Sequence, residues 1–421
     1  MDDRAELLPV LEGCRARGAR AAELLRQRFD RFETSGARVR GARTASERWT
    51  LRVWLEGGRA GVVAAPSRGG LVAAAIAAAE AAPPSSLAGP ADKLPPTSGP
   101  LGIDDRRHEA IEEGDRNELL TLAERALNLG GAQLRRLRYV ELRERRSWMS
   151  SRDVEQRSAA TTYSLHATAA LGDVELTHRI GSRHFSDVAS LPFGTELRRR
   201  LDGLSRKASL PGAPLPVVLD PRGMASLVRS IAPAFAAQSV ATGNFLSGRL
   251  NRPLASPILH LTDDAGLASG LHTRAFDDRG VPPITVTLLK EGVPAGLFHD
   301  PESARAHGLR PTGHYLDGDL RPSNLVVRPG SRTRNVILTE LKDHLAADEL
   351  PPVDLATGRM HGPVRLGVVS GGQRVGAVTA VLDVDVPTLL ARITEVASDQ
   401  ERTEEVDAPT TIFDPLPWRA E

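Results

Sequence analysis

Cysteine is almost absent from this 421-residue sequence, where Cys14 stands alone. No disulfide can form within the chain, and a Cys-rich zinc or iron–sulfur site is excluded. Aromatic residues make up only 4%, so the packing must rest on Ala, Leu and Val. Neither sign of charge dominates. The 54 basic and 53 acidic residues leave a formal net charge of +1, which provides no broad field to draw in nucleic acid. Lysine occurs only at Lys93, Lys207, Lys290 and Lys342. None of these follows a glycine, so there is no P-loop. A GxGxxG run after a strand and a GxSxG nucleophile elbow are missing too. The most apolar run, 71–79, is stopped by Glu80 and is far too short to span a bilayer. The opening residues MDDRAELL are acidic and amphipathic, unlike a signal peptide. These absences point to a soluble cytoplasmic protein with no direct membrane or nucleic-acid contact.

The length favours two domains. SLPGAPLP, residues 209–216, is the best boundary: small residues and three prolines. The pattern predicts an α+β protein. An N-terminal α/β domain with an antiparallel meander covers 1–208. A β-rich domain with an antiparallel sheet and a few helices covers 209–421. Leu11, Cys14, Ala21 and Leu25 share one face of a predicted first helix, with Gly18 on the same face and Pro9 in its first turn. On that face Cys14 reads as a small buried hydrophobe. TLRVWLE, then Gly57-Gly58 and RAGVVA, form a hairpin signal. The Ala-rich stretch 70–82 reads as a buried helix, and the proline-rich stretch 83–100 as a surface loop. Asp115 is a plausible N-cap for a helix through Ala126, ended by Gly130-Gly131. Alternating runs over 134–185 predict the meander, and a helix over 194–207 closes this half. PVVLD, 216–220, reads as a buried strand. Pro221 opens a helix to about Ala237, and a further helix covers 301–307.

Candidate metal ligands are scattered. His108-Glu109 begins an HExx run, but Glu112 follows where a second His is needed, and the dense charge of 106–115 reads as a solvated helical face. His178 and His184 need not converge. His299, His307 and His314 are spaced on no helical or strand face, so separate roles are preferred, with a three-His metal site as the alternative.

The second half carries an ordered set of segments. VVLDPRGMASLVRSIAPAF (217–235) precedes GNFLSGRLNRPLAS (243–256) and ILHLTDD (258–264). GLASGLHTRAFDDRGVP (266–282), TLLKEGVPAGLFHDPESARAHGLRPTGH (287–314) and SNLVVRPG (323–330) follow. This order, with the Gly58-Arg59-Ala60-Gly61 hairpin and the Ala-rich helix after it, resembles the TldD/PmbA family, once labelled modulators of DNA gyrase. The resemblance runs from about 20 to 415. The family's TldD-like branch carries an HExxxH zinc motif on the helix after the PVVLD-like strand and a Cys near the C-terminus. In the TldE/PmbA-like branch these ligands are missing. The matching helix here, 221–238, contains no His, Glu, Asp or Cys, and 390–421 contains no Cys or His.

The resemblance therefore implies a non-catalytic subunit without metal or catalytic residues of its own. It implies a TldD-like zinc-bearing partner in a heterodimeric metallopeptidase, and small or unfolded peptides as substrate. Polar residues at the turns are the candidates for peptide or interface contact: Arg274, Asp277 and Asp278 in RAFDDRG, Thr312, Gly313 and His314 in PTGH, and Asn324. The simpler reading of the Asp277-Asp278 turn is carboxylates capping backbone N–H groups. Gly313 is expected to serve backbone shape. Two rival functions remain open: a peptidase using His299, His307 and His314, and a stand-alone peptide-binding regulator.

Overall fold

The computed structural model describes residues 3–37, 39–84, 89–90, 100–128 and 131–420. The fold is α+β, and strands outweigh helices. Helix α1 (Asp3–Ala16) leads into β1 (Ala21–Thr34), β2 (Ala42–Trp54), β3 (Ala60–Ala65), helix α2 (Leu71–Ala81) and helix α3 (Glu113–Leu127). The meander β4 (Gln133–Ser150), β5 (Glu155–Leu171) and β6 (Val174–Ser182) follows, then helices α4 (Phe185–Ser190) and α5 (Phe193–Ser205). The six strands make one antiparallel sheet in the order β3-β2-β1-β4-β5-β6.

Period-two alternation gives that sheet two different faces. Leu24, Leu51 and Met149 point to the helices, where Leu7, Leu11, Cys14 and Ala75 meet them in one core. A second core beside it packs α3 and α5 on β4 and β5 through Leu120, Leu197, Tyr139 and Leu165. The neighbouring residues Leu25 and Trp148, paired across β1 and β4, point the other way and meet Phe276. The far face of the first sheet is therefore the seam against the C-terminal half.

That half contributes β7 (Val217–Leu219), helices α6 (Pro221–Ile231) and α7 (Ala237–Thr242), β8 (Leu261–Asp264), β9 (Thr285–Lys290) and β10 (Val293–Pro294). Helix α8 (Pro301–Ala306), β11 (Tyr315–Leu316), β12 (Asp319–Leu320), β13 (Leu325–Val327), helix α9 (Arg334–Leu341) and β14 (His344–Ala347) come next. The chain finishes with the long hairpin β15 (Arg359–Ser370) and β16 (Gln373–Asp385), helix α10 (Val386–Ala391), β17 (Ile393–Val396), β18 (Glu401–Thr403), β19 (Val406–Ala408), β20 (Thr411–Phe413) and β21 (Trp418–Ala420). One sheet runs β17-β20-β7-β14-β15-β16-β21 and another β10-β9-β8-β13-β19-β18. Most pairs are antiparallel, but β7–β14 and β13–β19 are parallel. Met224, Leu227, Val228 and Ile231 of α6 are buried in the large core these sheets share.

Several local expectations are corrected. The first helix stops at Ala16 rather than passing through Leu25. Gly18 takes φ +84° and Ala19 N–H bonds back to the Cys14 carbonyl, a left-handed helix ending after which the chain extends. Ala21 and Leu25 lie on β1, and Pro9 lies inside the helix rather than in its first turn. The cap of α3 is Glu112, with Asp115 three residues on completing a capping box. Residues 104–112 hold a short 3₁₀ turn, His108–Ala110, instead of a charged helix; Glu109 and Asp104 pair with Arg143. Helix α6 ends at Ile231 because Pro233 cannot donate an N–H to the next turn, and a 3₁₀ turn, Ala232–Phe235, precedes α7. Of the proline-rich stretch, 85–88 and 91–99 lie outside the described residues, as does Gly130.

Candidate functional site

The seam between the two halves gathers most of the residues singled out by sequence. Asp277 is fully buried and accepts N–H bonds from Arg279 (2.9 Å), Val281 (3.0 Å) and Tyr315 (3.2 Å). It is a turn cap, as the simpler reading held. Burial nonetheless raises its carboxyl to about 6. Asp278 reaches across the seam to Arg146 of β4 and accepts the Asp317 N–H at 2.7 Å. Next to them the buried Arg279 is clamped between Glu23 of β1 (2.5 Å) and Glu302 of α8 (2.7 Å). Gly280 lies on the face of Trp148, where a Cβ would stand 2.5 Å from the indole.

Thr312 closes a small loop onto His299, accepting the His299 N–H through Oγ1 at 2.9 Å. Gly313 has φ +73°, and a Cβ there would lie 2.6 Å from Pro283 Cα. His314 is fully buried and stacked on Phe298 at 4.5 Å between centroids. Its Nδ1 faces the Thr312 carbonyl (2.9 Å) and its Nε2 faces Asp263 (3.0 Å). Both nitrogens are therefore committed. His299 and His307 rings come within 5.7 Å of each other, but His314 does not join them. Among the described residues, no three His, Cys, Asp or Glu side chains cluster as a metal-binding group. His178 stacks on Phe193 while His184 bonds the Gly102 carbonyl, so those two stay apart as well.

Asn324 serves the turn at 270–273. Its Oδ1 accepts the His272 N–H (3.0 Å), and its Nδ2 donates to the Asp264 carbonyl (2.8 Å) and to Thr273 Oγ1 (2.9 Å). That turn presents a different chemistry from the Asp277 loop. Arg274 is only 7% exposed, and its buried Nε and Nη2 meet no hydrogen-bond acceptor among the described residues. Arg183, just after β6, is buried beside it and donates only to neutral oxygens: the carbonyls of Thr161, Gly270 and Thr273 and the Thr162 hydroxyl. Burial lowers both guanidiniums, Arg183 to about 10. His272 keeps an exposed surface yet is strongly desolvated. That desolvation, with Arg274, Arg183 and Arg179 nearby, lowers its imidazole to about 4.

Helix α6 borders the same region. Arg229 bonds Glu405 at 2.5 Å and Thr403 O at 3.3 Å, and Glu404 pairs with Arg179 at 2.6 Å. Burial raises the Glu405 carboxyl, but the Arg229 guanidinium outweighs it and holds the group below its ordinary value. The rest of the helix is Pro, Gly, Met, Ala, Ser, Leu, Val and Ile besides Arg222. A zinc ion needs imidazole, thiolate or carboxylate groups converging at about 2 Å, and α6 supplies none. A polar cavity of about 720 Å³ opens where α5 meets the start of α6, but its Arg222 pairs with Glu196 (2.5 Å) and its Arg200 with Asp348 (2.7 Å).

Residues 212–417 match the model of the PmbA/TldA metallopeptidase C-terminal domain. By that match residues 212–417 are a PmbA/TldD-type domain. A protein named metalloprotease from Methanothermobacter thermautotrophicus is 22% identical over 248 residues, 55% of this chain and only about half, 54%, of that relative. The folds of whole PmbA/TldD-type chains superpose well. TldE from Thermococcus kodakarensis matches with TM-score 0.82 and 18% identity over 99% of this chain and 100% of its own. Two proteins named as modulators of DNA gyrase behave alike. The one from Thermotoga maritima gives 0.84 and 17% over 98% and 99%, and the one from Bacteroides thetaiotaomicron 0.85 and 18% over 100% of both chains. At these identities the likeness is one of fold.

Sequence reasoning did not single out Arg183, His272 or Glu405. No motif marks them. Their character comes from the packing of the seam: Arg183 is buried against neutral oxygens, Glu405 is paired with Arg229, and His272 is exposed but strongly desolvated.

Proposed function

We propose that this chain is the metal-free subunit of a two-chain peptidase of the PmbA/TldD family. It stabilises a zinc-bearing TldD-like partner in the cytoplasm and helps wall the channel through which small or unfolded peptides pass. One observation carries the reading: α6 offers no zinc donor, and its Arg229 is tied to Glu405. Without a Lewis acid and an activated water, hydrolysis by metal catalysis needs a second chain. The short edge strand β18 ends beside that ion pair. An extended peptide can add to such an edge through main-chain hydrogen bonds, independent of its sequence.

The test is reconstitution. The purified chain alone should cleave no peptide in a chelator-sensitive way, and activity should emerge on mixing with an HExxxH-bearing partner. Stoichiometric zinc and robust hydrolysis in the isolated chain would overturn the reading.

A further inference from the structure

The cavity of about 720 Å³ where α5 meets the start of α6 is walled by both halves of the chain. Five arginines line it: Arg199 and Arg200 of α5, Arg222 of α6, Arg334 at the start of α9 and Arg374 of β16. Two of them are neutralised in place, Arg200 by Asp348 and Arg222 by Glu196. Arg334 has a carboxylate only at 3.8 Å, that of Asp399, which already accepts bonds from Thr410 (3.1 and 2.6 Å). Arg199 and Arg374 are exposed residues whose side chains make no hydrogen bond or ion pair with any described residue. Packing, not a counter-charge, fixes Arg374. A Cβ on Gly203 of α5 would stand 2.7 Å from its Nη1, and one on Gly367 of β15 would stand 2.8 Å from its Cζ. Glycine weakens the interior of a helix or a strand, yet both elements forgo a side chain where this guanidinium lies. The wall is short of acceptors as well. His344 is only 5% exposed, and its buried Nδ1 meets no partner among the described residues; nor does Nη1 of Arg200. Withdrawal from water lowers the Arg374 guanidinium, Asp348 and Asp220 oppose that, and the nearby Arg199 and Arg334 add to it. Those two carboxylates are committed, Asp348 to Arg200 and Asp220 to the Gly223 N–H at 2.9 Å. Glu401, the remaining carboxylate of the lining, is exposed, where water screens it.

We propose that this cavity binds a phosphate group, as inorganic phosphate or on a small ester, with Arg374 and Arg199 as its principal partners and Arg334 as a third. A phosphate carries up to two negative charges and three or more acceptor oxygens, so several guanidiniums can donate to it at once. A carboxylate, with two oxygens and one charge, would leave part of the cluster unanswered. No Phe, Tyr or Trp lines the cavity, so a nucleobase would have nothing to stack on. Arg199 belongs to the N-terminal half and Arg334 and Arg374 to the C-terminal half, so the bound anion ties the two together. The inference does not depend on the peptidase role proposed above.

Calorimetric titration of the full-length chain with inorganic phosphate, glycerol 3-phosphate and acetate, in chloride buffer of constant ionic strength, tests it. Phosphate or its ester should saturate one site, and acetate should bind at least about tenfold more weakly, the factor corresponding to one charge-assisted hydrogen bond. Tighter binding of the ester identifies an ester as the natural occupant, and equal or weaker binding identifies free phosphate. Arg374→Met should weaken phosphate by a similar factor and leave the melting temperature in phosphate-free buffer unchanged, because the side chain holds no ion pair. Arg374→Lys should keep part of the affinity. Phosphate should raise the melting temperature of the wild-type chain and not that of R374M. Absence of saturable binding, acetate binding as tightly as phosphate, or undiminished affinity in a folded R374M overturns the proposal. If R374M does not fold, Arg199→Met decides by the same criterion.

Discussion

Two turns a few residues apart in the same seam treat buried charge in opposite ways. At 277–280 every charge is answered: Asp277 by backbone N–H groups, Asp278 by Arg146, Arg279 by Glu23 and Glu302. At 270–274 two guanidinium nitrogens of Arg274 find no acceptor among the described residues, and Arg183 donates to neutral oxygens alone. Burial is similar in the two places, so solvent access does not explain the difference. The first turn is a joint that fixes the C-terminal half onto the N-terminal sheet. The second leaves an electrostatic demand open, which costs stability.

Breaking the joint should have the largest effect. Arg279→Met takes from Glu23 and Glu302 the guanidinium they share; Glu23, only 4% exposed, retains Arg52 at 3.1 Å. Removing one member of a buried ion pair costs about 3–5 kcal/mol. Urea unfolding of R279M should show a loss of that order; a loss near zero would mean the joint does not hold the halves together. Gly313→Ala comes next. Its φ of +73° and the 2.6 Å approach to Pro283 Cα leave no relaxed position for a methyl group. Left-handed strain plus overpacking predicts a loss of about 2–4 kcal/mol, measured by the same unfolding curves.

Acid should sharpen the comparison from the other direction. Burial raises Asp277 to about 6 from its ordinary 3.8. A raised carboxyl contributes stability that is fully present below its unfolded value and is lost as pH rises through the folded one. The window is therefore about pH 4 to 6. Between pH 7 and pH 5 the wild-type protein should gain about 1 kcal/mol relative to Asp277→Asn, which cannot take up that proton. Parallel pH profiles of the two proteins would place the proton elsewhere.

The larger elements of this fold were legible in the sequence, and the reasons differ by region. The meander, the Gly57-Gly58 hairpin and the Ala-rich helix announce themselves by alternation, glycine pairs and composition. The first helix was overextended because 21–25 fits helical spacing as well as strand spacing, and a single glycine with positive φ decided the matter. Within the site, Asp277 and Gly313 were readable because turn chemistry is local. His314 was not: its partner Asp263 lies 51 residues away. The unpaired state of Arg274 depends on what fails to approach it from β8, from the residues after β6 and from the far sheet, and no local pattern encodes that.

The smallest expected effect is also the control for the whole comparison. Arg359 and Asp383 form a two-armed ion pair across β15 and β16, both bonds 2.8 Å, with geometry as good as any pair in the seam. The Arg359 side chain, however, is 62% exposed. In water the attraction is screened, and holding two long side chains in register offsets much of what remains. Arg359→Ala should therefore leave the unfolding midpoint where it is, within measurement error, and raising the salt concentration should not separate it from wild type. If R359A instead unfolded as early as R279M, hydrogen-bond geometry rather than burial would set the strength of these pairs. The contrast drawn between the answered and unanswered arginines of the seam would then lose its physical basis.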